Sequence, residues 1–383
     1  MKCLYQILLS SLLVSVAHGQ ISFEKIADLP GTINETSGLI YFDGKLISHN
    51  DSGNDAALYE LDPADGSIVR TVALANATNI DWEDLAQDSN YIYIGDFGNS
   101  KGDRTDLTIY RIAKSDYLAS NTVFAEEIHF SYGDQTSFTS DSFSNWDAEA
   151  MVNFNGSLIV FTKQWKDLGT VAYRIPTTPG TYNAIRLDSY QVDGLITGAT
   201  YDADTEQLVL VGYSQLLMPF LVQVEQPQEA TIFSGTIAQT PLDLGFNQIE
   251  GVTQFNNTYY LSSEEFKRRI PSISVPSSLF SLTFSEAPTP DPDPNPESPS
   301  GGEGEQDLIL YQPMGTLTLD YNFNEGTDLF GYAIFDVGGK RILVHDFNSN
   351  PQGSIDTSFL QPSIYFISFH LRSGRIAKPF IIK

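Results

Sequence analysis

Carboxylates recur at matching positions along this chain, and grouped carboxylates are side chains that bind cations or exchange protons. The densest group, Asp81 to Asp88, reads DWEDLAQD and places four acidic side chains directly before the strand-like run YIYIGDFGN. Oxygen donors without cysteine or histidine beside them suit calcium or another oxygen-preferring cation better than zinc. The sequence therefore indicates a calcium-type site, provided that the fold brings several such groups together.

The same pattern returns in the segments ETSGLIYFDGKLISHND, DWEDLAQDSNYIYIGDF, DAEAMVNFNGSLIVFTK, LITGATYDADTEQLVLVGY and QIEGVTQFNNTYYLSSEE. Each segment joins a short first strand through a turn to a more apolar second strand, and a third strand follows. Their aligned positions lie 46, 66, 48 and 53 residues apart, close to the period of a four-stranded propeller blade. These positions are Ser37, Glu83, Glu149, Thr197 and Glu250.

The repeats predict an all-β protein whose main domain is a five-bladed β-propeller. The last repeat ends after its third strand, so we expect the N-terminal run ISFEKIADLP to supply the missing outer strand and close the ring. A six-bladed ring is the alternative, because the longer second interval has room for extra strands around FAEEIHFSYGDQTSFTSDSFSNW.

In a propeller the first strands begin on one face, and the loops after the second strands lie on the same face, so the repeated positions should form one funnel. Carboxylates sharing such a funnel must hold protons or be neutralised by a cation, unless they serve only as caps of strands and turns. The predicted cofactor is Ca²⁺, with Glu83, Glu149, Glu250 and Asp96 as its ligands. The predicted ligand-binding residues at the same mouth are Asn50, Asp51, Lys163, Arg104 and Glu264.

Three tryptophans, Trp82, Trp146 and Trp165, lie beside these positions. Their rings could stack on a sugar or another ring-shaped ligand at the funnel, or pack between blades. The expected partner is therefore a small molecule or a glycan.

The residues leave open whether the protein is an enzyme. His49, in SHND, is the histidine nearest the predicted funnel, and it is either a general base beside a metal or an exposed turn residue. The sequence contains no GxSxG elbow and no HExxH motif. Two hypotheses follow: a propeller that binds a cation and a small ligand, or a calcium-assisted hydrolase of a lactone, ester or phosphoester that uses the same residues.

Charge and the first residues indicate the compartment. The 48 acidic and 21 basic residues give a net charge of −27, which argues against nucleic acid as a partner. Residues 1–19 combine Lys2, an apolar core from Leu4 to Val16 and a small-residue end, the pattern of a secretory signal peptide for Sec-dependent export. The single cysteine, Cys3, lies within that segment, so the mature chain would have no disulfide. No later stretch approaches the roughly 20 apolar residues of a transmembrane helix, so we expect no transmembrane anchor in the mature chain.

Composition divides the chain into four parts. The signal peptide, residues 1–19, is followed by the propeller, residues 20–285. Residues 286–306, EAPTPDPDPNPESPSGGEGEQ, are rich in proline, glycine and acidic residues and predict an extended linker. Residues 307–383 read as short β-strands and predict a small C-terminal β-sandwich. We expect a monomer.

The repeats SGLIYF, DWEDLAQD, DAEAM and IEGV resemble the strand starts of secreted bacterial propellers, notably the SdiA-regulated family and, more distantly, the esterase-like phytase group. The resemblance covers about residues 21–285. It implies a central cation or ligand site at Glu83, Glu149, Glu250 and Asp96. Ser37 and Thr197 depart from the acidic residue expected at equivalent positions.

The motifs IFDVGGKRIL, IDTSFLQPSIYFISF and KPFIIK resemble the C-terminal sorting domain of type IX secretion cargo in Bacteroidota. That resemblance implies the type IX machinery as a partner, export through the outer membrane, removal of the domain, and release or attachment to the cell surface. An ordinary β-sandwich adhesion module is the alternative.

Overall fold

The structure is a computed structural model that describes residues 20–215, 217–245, 247–268, 273–285, 308–312, 317–323, 329–336, 341–346, 352–371 and 374–382. The chain divides into two compact units, Met1–Thr289 and Pro290–Lys383. The predicted signal peptide and linker lie outside the described residues. The prediction of an all-β protein is confirmed. Within the described part of the chain, no helix is both long and apolar enough to cross a membrane.

The first unit is built almost entirely of strands. A short 3-10 helix, Gly31–Ile33, and one α-helix, α1 (Lys114–Ala119), interrupt them. The strands are β1 (Gln20–Asp28), β2 (Thr36–Phe42), β3 (Lys45–Asn50), β4 (Ala57–Leu61), β5 (Ile68–Leu74), β6 (Trp82–Gln87), β7 (Tyr91–Asp96), β8 (Thr108–Ala113), β9 (Thr122–Val123), β10 (Glu126–Tyr132), β11 (Asp147–Phe154), β12 (Ser157–Lys163), β13 (Gly169–Pro176), β14 (Gly180–Gln191), β15 (Leu195–Asp202), β16 (Gln207–Tyr213), β17 (Pro219–Glu225), β18 (Thr236–Pro241), β19 (Ile249–Phe255), β20 (Thr258–Ser263), β21 (Phe266–Arg268), β22 (Ile273–Val275) and β23 (Ser278–Ser285).

Hairpins form where the sequence has turn residues. Asp43 and Gly44 join β2 to β3, and Asn155 and Gly156 join β11 to β12, all four with positive φ. Two consecutive residues of positive φ match the twist of the flanking strands, and Asp-Gly and Asn-Gly adopt this turn most readily. The inner strands are buried on both faces, which explains their near-continuous apolar runs.

The strands pair in the order β2-β3-β4-β5-β9, β15-β16-β17-β18 and β19-β20-β23-β1, while β6-β7-β8-β10 and β14-β13-β12-β11 share one sheet of eight strands. The first strand of each series, β2, β6, β11, β15 or β19, contacts the next, and β19 contacts β2. The N-terminal strand β1 pairs antiparallel with β23, as predicted. Side chains between neighbouring series form the core.

Two parallel pairings link outer strands of different repeats. Strand β10 pairs with β14 and thereby creates the eight-stranded sheet. Strand β9 pairs with β5, so the chain turns back to the first repeat before it completes the second. The segment from Phe124 to Trp146, where extra strands were considered, contains β10 followed by a loop over residues 133–146.

The second unit also consists of strands: β24 (Ile309–Tyr311), β25 (Thr318–Asn322), β26 (Leu329–Asp336), β27 (Arg341–Asp346), β28 (Gln352–Asp356), β29 (Ser363–Leu371) and β30 (Gly374–Ile382). They form a sheet β24-β25-β28 and a sheet β27-β26-β29-β30 around one apolar core. The KPFIIK motif overlaps β30, whereas Gly339 and Lys340 of the IFDVGGKRIL motif lie outside the described residues.

Candidate cation site

The repeated positions of the sequence coincide with β-bulges in the innermost strands. In β6 the pairing register shifts between Trp82 and Asp84, which leaves Glu83 as the extra residue. A bulge bends its strand and redirects a side chain, so a recurring bulge can aim residues at a common point. The corresponding extra residues of β11, β15 and β19 are Glu149, Thr197 and Glu250, and Ser37 borders the equivalent shift in β2.

The two repeated positions without a carboxylate bind the neighbouring strand instead. The Ser37 hydroxyl donates to the carbonyl oxygen of Glu83 at 2.6 Å. The Thr197 hydroxyl donates in the same way to the carbonyl oxygen of Ile249. Ser37 and Thr197 therefore tie adjacent inner strands together, and the acidic side chains gather elsewhere in the ring.

Carboxylates form two overlapping groups, and within each group the ligand atoms lie within 4.8 Å of one another. The first group is Asp51, Asp81 and Glu83, and the second is Glu83, Asp147 and Glu149. We call these five residues the acidic cluster. Asp81 directly precedes β6 and Glu83 lies in it, Asp147 and Glu149 lie at the start of β11, and Asp51 directly follows β3. The fold therefore assembles the cluster from separate repeats. Oxygen ligands in this arrangement suit a calcium-type cation.

Gly98 provides the space for part of this cluster. Its amide donates to the carbonyl oxygen of Asp81 at 3.1 Å. A Cβ atom added at Gly98 would lie 2.1 Å from Oε1 of Glu83 and 2.4 Å from Oδ2 of Asp81. A side chain at position 98 would therefore displace two carboxylates of the acidic cluster.

Burial and mutual repulsion disfavour the charged forms of these carboxyls. Burial, and then the nearby carboxylates of Asp51 and Asp147, raise the pKa of Asp81 to about 7. Burial raises the pKa of Asp51 to about 6, and burial together with Glu149 raises the pKa of Glu83 well above its usual value. A cation in the cluster would have to displace protons at neutral pH, and it would relieve the repulsion when bound.

A cation supplied by the chain adjoins the acidic cluster. Nζ of Lys163 lies 3.1 Å from Oε1 of Glu149, 4.8 Å from the ring centre of Trp165 and 5.5 Å from that of Tyr213. Burial alone would lower the pKa of Lys163, but Glu149, Tyr213 and Glu250 raise it well above its usual value. Lys163 is therefore a resident positive charge.

Two more glutamates belong to this lysine side, which we define as Lys163, Glu149, Tyr213, Glu250 and Glu264. Burial raises the pKa of Glu250 to about 7, although Lys163 opposes the shift. Burial and Glu250 raise the pKa of Glu264 to about 9. The Gln248 amide donates to Oε1 of Glu264.

The predicted ligand Asp96 is largely engaged by its own loop. Its Oδ1 accepts from Nη2 of Arg104 and from the Asp81 amide, at 3.0 and 3.1 Å. Its Oδ2 is buried without a hydrogen-bond partner among the described residues. Arg104 also donates to Oδ1 of Asp106 and to the carbonyl oxygen of Gly98, so the arginine supports the loop. Asp96 therefore flanks the acidic cluster and belongs to neither of its two carboxylate groups.

Asn50 and His49 are placed in the interior of the fold. The Asn50 side chain accepts from the Glu35 amide and donates to the carbonyl oxygen of Thr32, so its polar groups serve the backbone. His49 is completely buried, packs edge-on against Trp82 and has Nδ1 2.9 Å from the Asn50 carbonyl oxygen. The interpretation of His49 as an exposed turn residue is wrong, because β3 is an inner strand.

The cation ligands predicted from the sequence did not include three acidic residues of this region, Asp81, Asp84 and Asp147. Asp81 and Asp147 each precede a bulge glutamate by two positions, in DWE and DAE, and this shared spacing could have identified them. Asp147 accepts from the Asn99 amide at 2.6 Å and from the Trp165 indole at 2.7 Å. Asp84 is fully buried and accepts from the amides of Leu85, Met151 and Ala199, which places a carboxylate between three inner strands.

No family model and no curated protein matches this chain. Among solved structures, the extracellular domain of a protein described as a one-component system from B. thetaiotaomicron is similar with a TM-score of 0.31 and 12% identity, over 95% of this chain and 59% of that chain. Hydrazine synthase from Kuenenia stuttgartiensis is similar with a TM-score of 0.32 and 11% identity, over 89% of this chain and 75% of that chain. A GH43_1 enzyme from Xanthomonas citri is similar with a TM-score of 0.40 and 11% identity, over 66% of this chain and 89% of that chain.

Proposed function

We propose that residues 20–285 form a five-bladed β-propeller that binds one calcium ion at the acidic cluster and presents it to a small ligand. The blade count is supported by the cyclic contacts of β2, β6, β11, β15 and β19. The observation that carries the cation site is the pair of overlapping carboxylate groups with ligand atoms within 4.8 Å. Glu83 belongs to both groups and is the central ligand of the proposed site.

Charge balance favours the acidic cluster over the lysine side as the place for an external cation. On the lysine side, Lys163 already neutralises one carboxylate at 3.1 Å. Beside the acidic cluster, Arg104 donates its hydrogen bonds to Asp96, Asp106 and a backbone carbonyl. The carboxylates of Asp51, Asp81 and Glu83 are therefore the best candidates for ligands, with Asp147 beside Glu83, whereas Glu149 is already paired with Lys163.

A calcium-assisted hydrolase is the second candidate. It is favoured by Glu250, which lies outside the acidic cluster and whose pKa of about 7 suits proton exchange at neutral pH. His49 is a poor general base in this scheme, because burial lowers its pKa to about 4 and encloses its ring. We expect any hydrolysis of p-nitrophenyl acetate, p-nitrophenyl phosphate or a lactone to require calcium and to disappear in Glu250→Gln, and activity that persists in this variant would exclude the role of Glu250.

The proposed location is the cell surface or the medium, after Sec-dependent export and passage through a type IX secretion system. The support comes from residues 1–19 and from the three motifs of residues 307–383. If this is correct, deletion of residues 307–383 leaves a folded propeller in the periplasm of the native host. Surface delivery of the truncated protein would contradict this route.

The cation proposal is tested by the melting temperature of the purified protein in calcium and in chelator. A ligand that binds only the folded state stabilises it by about 2.7 kcal/mol at a hundredfold excess over its dissociation constant. We expect calcium to raise the melting temperature of the wild type and to leave Glu83→Gln unchanged. Equal melting temperatures of the wild type in calcium and chelator would refute the cation site.

A further inference from the structure

An exposed aromatic surface borders the acidic cluster. Phe143 is 60% exposed, and its ring centre lies 5.2 Å from that of Trp165, with the two rings tilted by 58°. Trp165 in turn donates its indole N–H to Oδ2 of Asp147 at 2.7 Å. The surface formed by Phe143 and Trp165, which we call the aromatic platform, is therefore one hydrogen bond away from a carboxylate of the acidic cluster.

The loop before β11 holds Phe143 in an unfavourable backbone conformation. Its φ is +60°, in the left-handed region that a bulky side chain rarely adopts. Backbone hydrogen bonds fix the loop on both sides, from the Asp141 amide to the carbonyl oxygen of Lys101 at 2.9 Å and from the Ser144 amide to that of Ser100 at 2.8 Å. Strain of this kind persists where the surrounding structure imposes it, and it is concentrated at ligand sites. Here the strained residue is an aromatic ring that remains mostly in solvent.

The charges around the platform restrict the ligand. Lys163 is paired with Glu149, and Lys166 is paired with Asp141. These two cations therefore already have acidic partners, whereas several carboxylates share the adjacent cluster. This arrangement disfavours an anion bound directly by the protein. It favours a neutral ligand that has an apolar face for the platform and oxygen atoms for a bound cation.

We propose that the aromatic platform and the calcium site together bind a sugar ring. This inference rests on the proposed calcium site. The C–H face of the sugar packs on the exposed ring of Phe143, which Trp165 supports, since aromatic side chains supply broad apolar contact surfaces at binding sites. Two neighbouring hydroxyl groups complete the coordination of the cation, because calcium takes six to eight oxygen ligands and each group of the cluster offers three carboxylates. The ligand class is thus a cyclic polyol with vicinal hydroxyls.

The test uses Phe143→Asn, which removes the ring but tolerates the left-handed backbone. The matched control is Phe124→Asn, since Phe124 is 72% exposed and lies between the outer strands β9 and β10. The probes are the methyl glycosides of galactose, mannose, glucose and glucuronic acid, measured by saturation-transfer NMR and calorimetry in calcium and in chelator. We expect at least one glycoside to bind in calcium only, about tenfold or more weakly to Phe143→Asn, and equally to wild type and Phe124→Asn.

Calcium binding by Phe143→Asn separates this inference from the function on which it rests. If calcium raises the melting temperatures of wild type and Phe143→Asn alike but no glycoside binds, the sugar site is refuted and the cation site stands. If calcium binds neither protein, the proposed function itself fails. Glycoside binding that persists in chelator, or that is equally tight in wild type and Phe143→Asn, overturns the proposal that the aromatic platform and the calcium ion bind one sugar together.

Discussion

Two adjoining regions of the central ring, the lysine side and the acidic cluster, differ in how their buried carboxylates are neutralised. On the lysine side, a buried ammonium lies 3.1 Å from Glu149 and faces two aromatic rings, so the chain supplies the counter-charge. At the acidic cluster, Glu83 shares one group with Asp51 and Asp81 and another with Asp147 and Glu149, and the Lys163 ammonium makes its ion pair with Glu149. Charge that the chain neutralises is structural, and charge that it leaves uncompensated is where an external cation gains most.

The largest expected effect comes from removing the resident cation. Lys163→Met leaves Glu149 buried without its partner, which we expect to lower the free energy of unfolding by about 3 to 5 kcal/mol. Chemical denaturation in chelator measures this change. Adding Glu149→Gln to Lys163→Met should recover much of the loss, because it removes the unpaired carboxylate.

Lys166→Met is the control for this comparison. Lys166 is an exposed lysine in the same segment, paired at the surface with Asp141, and exposed pairs contribute about 0 to 1 kcal/mol. A loss for Lys163→Met no greater than that for Lys166→Met would contradict the structural role of the buried ammonium.

The pH dependence sharpens the comparison. The raised pKa values of Asp51, Asp81, Glu250 and Glu264, about 6, 7, 7 and 9, mean that the folded state retains protons that the unfolded state has lost. Their contribution to stability is fully present below the unfolded pKa values, near 4, and is lost as pH rises through about 6 to 9. The metal-free protein should therefore melt at a lower temperature at pH 8.5 than at pH 5.5.

Calcium should reverse this trend, because it binds the deprotonated cluster. The rise in melting temperature caused by calcium should be larger at pH 8.5 than at pH 5.5, as differential scanning fluorimetry at both pH values would show. A calcium effect that is largest at pH 5.5 would be inconsistent with carboxylate ligands of raised pKa.

The smallest expected effect concerns the two hydroxyl positions of the ring. Ser37→Ala removes a donor from the Glu83 carbonyl, and we expect a loss of about 1 kcal/mol in the free energy of unfolding. Calcium affinity should stay within twofold of wild type, since the hydroxyl serves the backbone. A large fall in affinity with unchanged stability would instead make Ser37 part of the cation site.

The repeat pattern predicted the inner-ring geometry well, for a physical reason. A bulge at the same place in each inner strand redirects the extra side chain in the same way. Aligning Glu83, Glu149 and Glu250 therefore located three buried carboxylates that share one structural position. The pairing of β1 with β23 was also predictable, because the last repeat lacked an outer strand.

Features that depend on contacts between repeats could not be read from the sequence. The parallel pairing of β10 with β14 joins strands from different repeats, and nothing local to either strand specifies its partner. Asp84 is buried and accepts hydrogen bonds from backbone amides of three strands. The alternation of side chains along β6 does not show which strands lie beside it, so it gives no indication of these hydrogen bonds. The role of Lys163 as a resident cation likewise depends on its distance to Glu149 and the rings of other strands.

Calorimetric titration of the metal-free protein with calcium at pH 8, comparing wild type, Glu83→Gln and Glu264→Gln, tests the central claim most directly. Glu83 belongs to both carboxylate groups of the acidic cluster, and Glu264 belongs to the lysine side. We predict one calcium ion per wild-type chain, binding at least about tenfold weaker in Glu83→Gln, and binding within about threefold of wild type in Glu264→Gln. Equal weakening in the two variants, or no calcium binding by the wild type, would contradict the assignment of the cation to the acidic cluster.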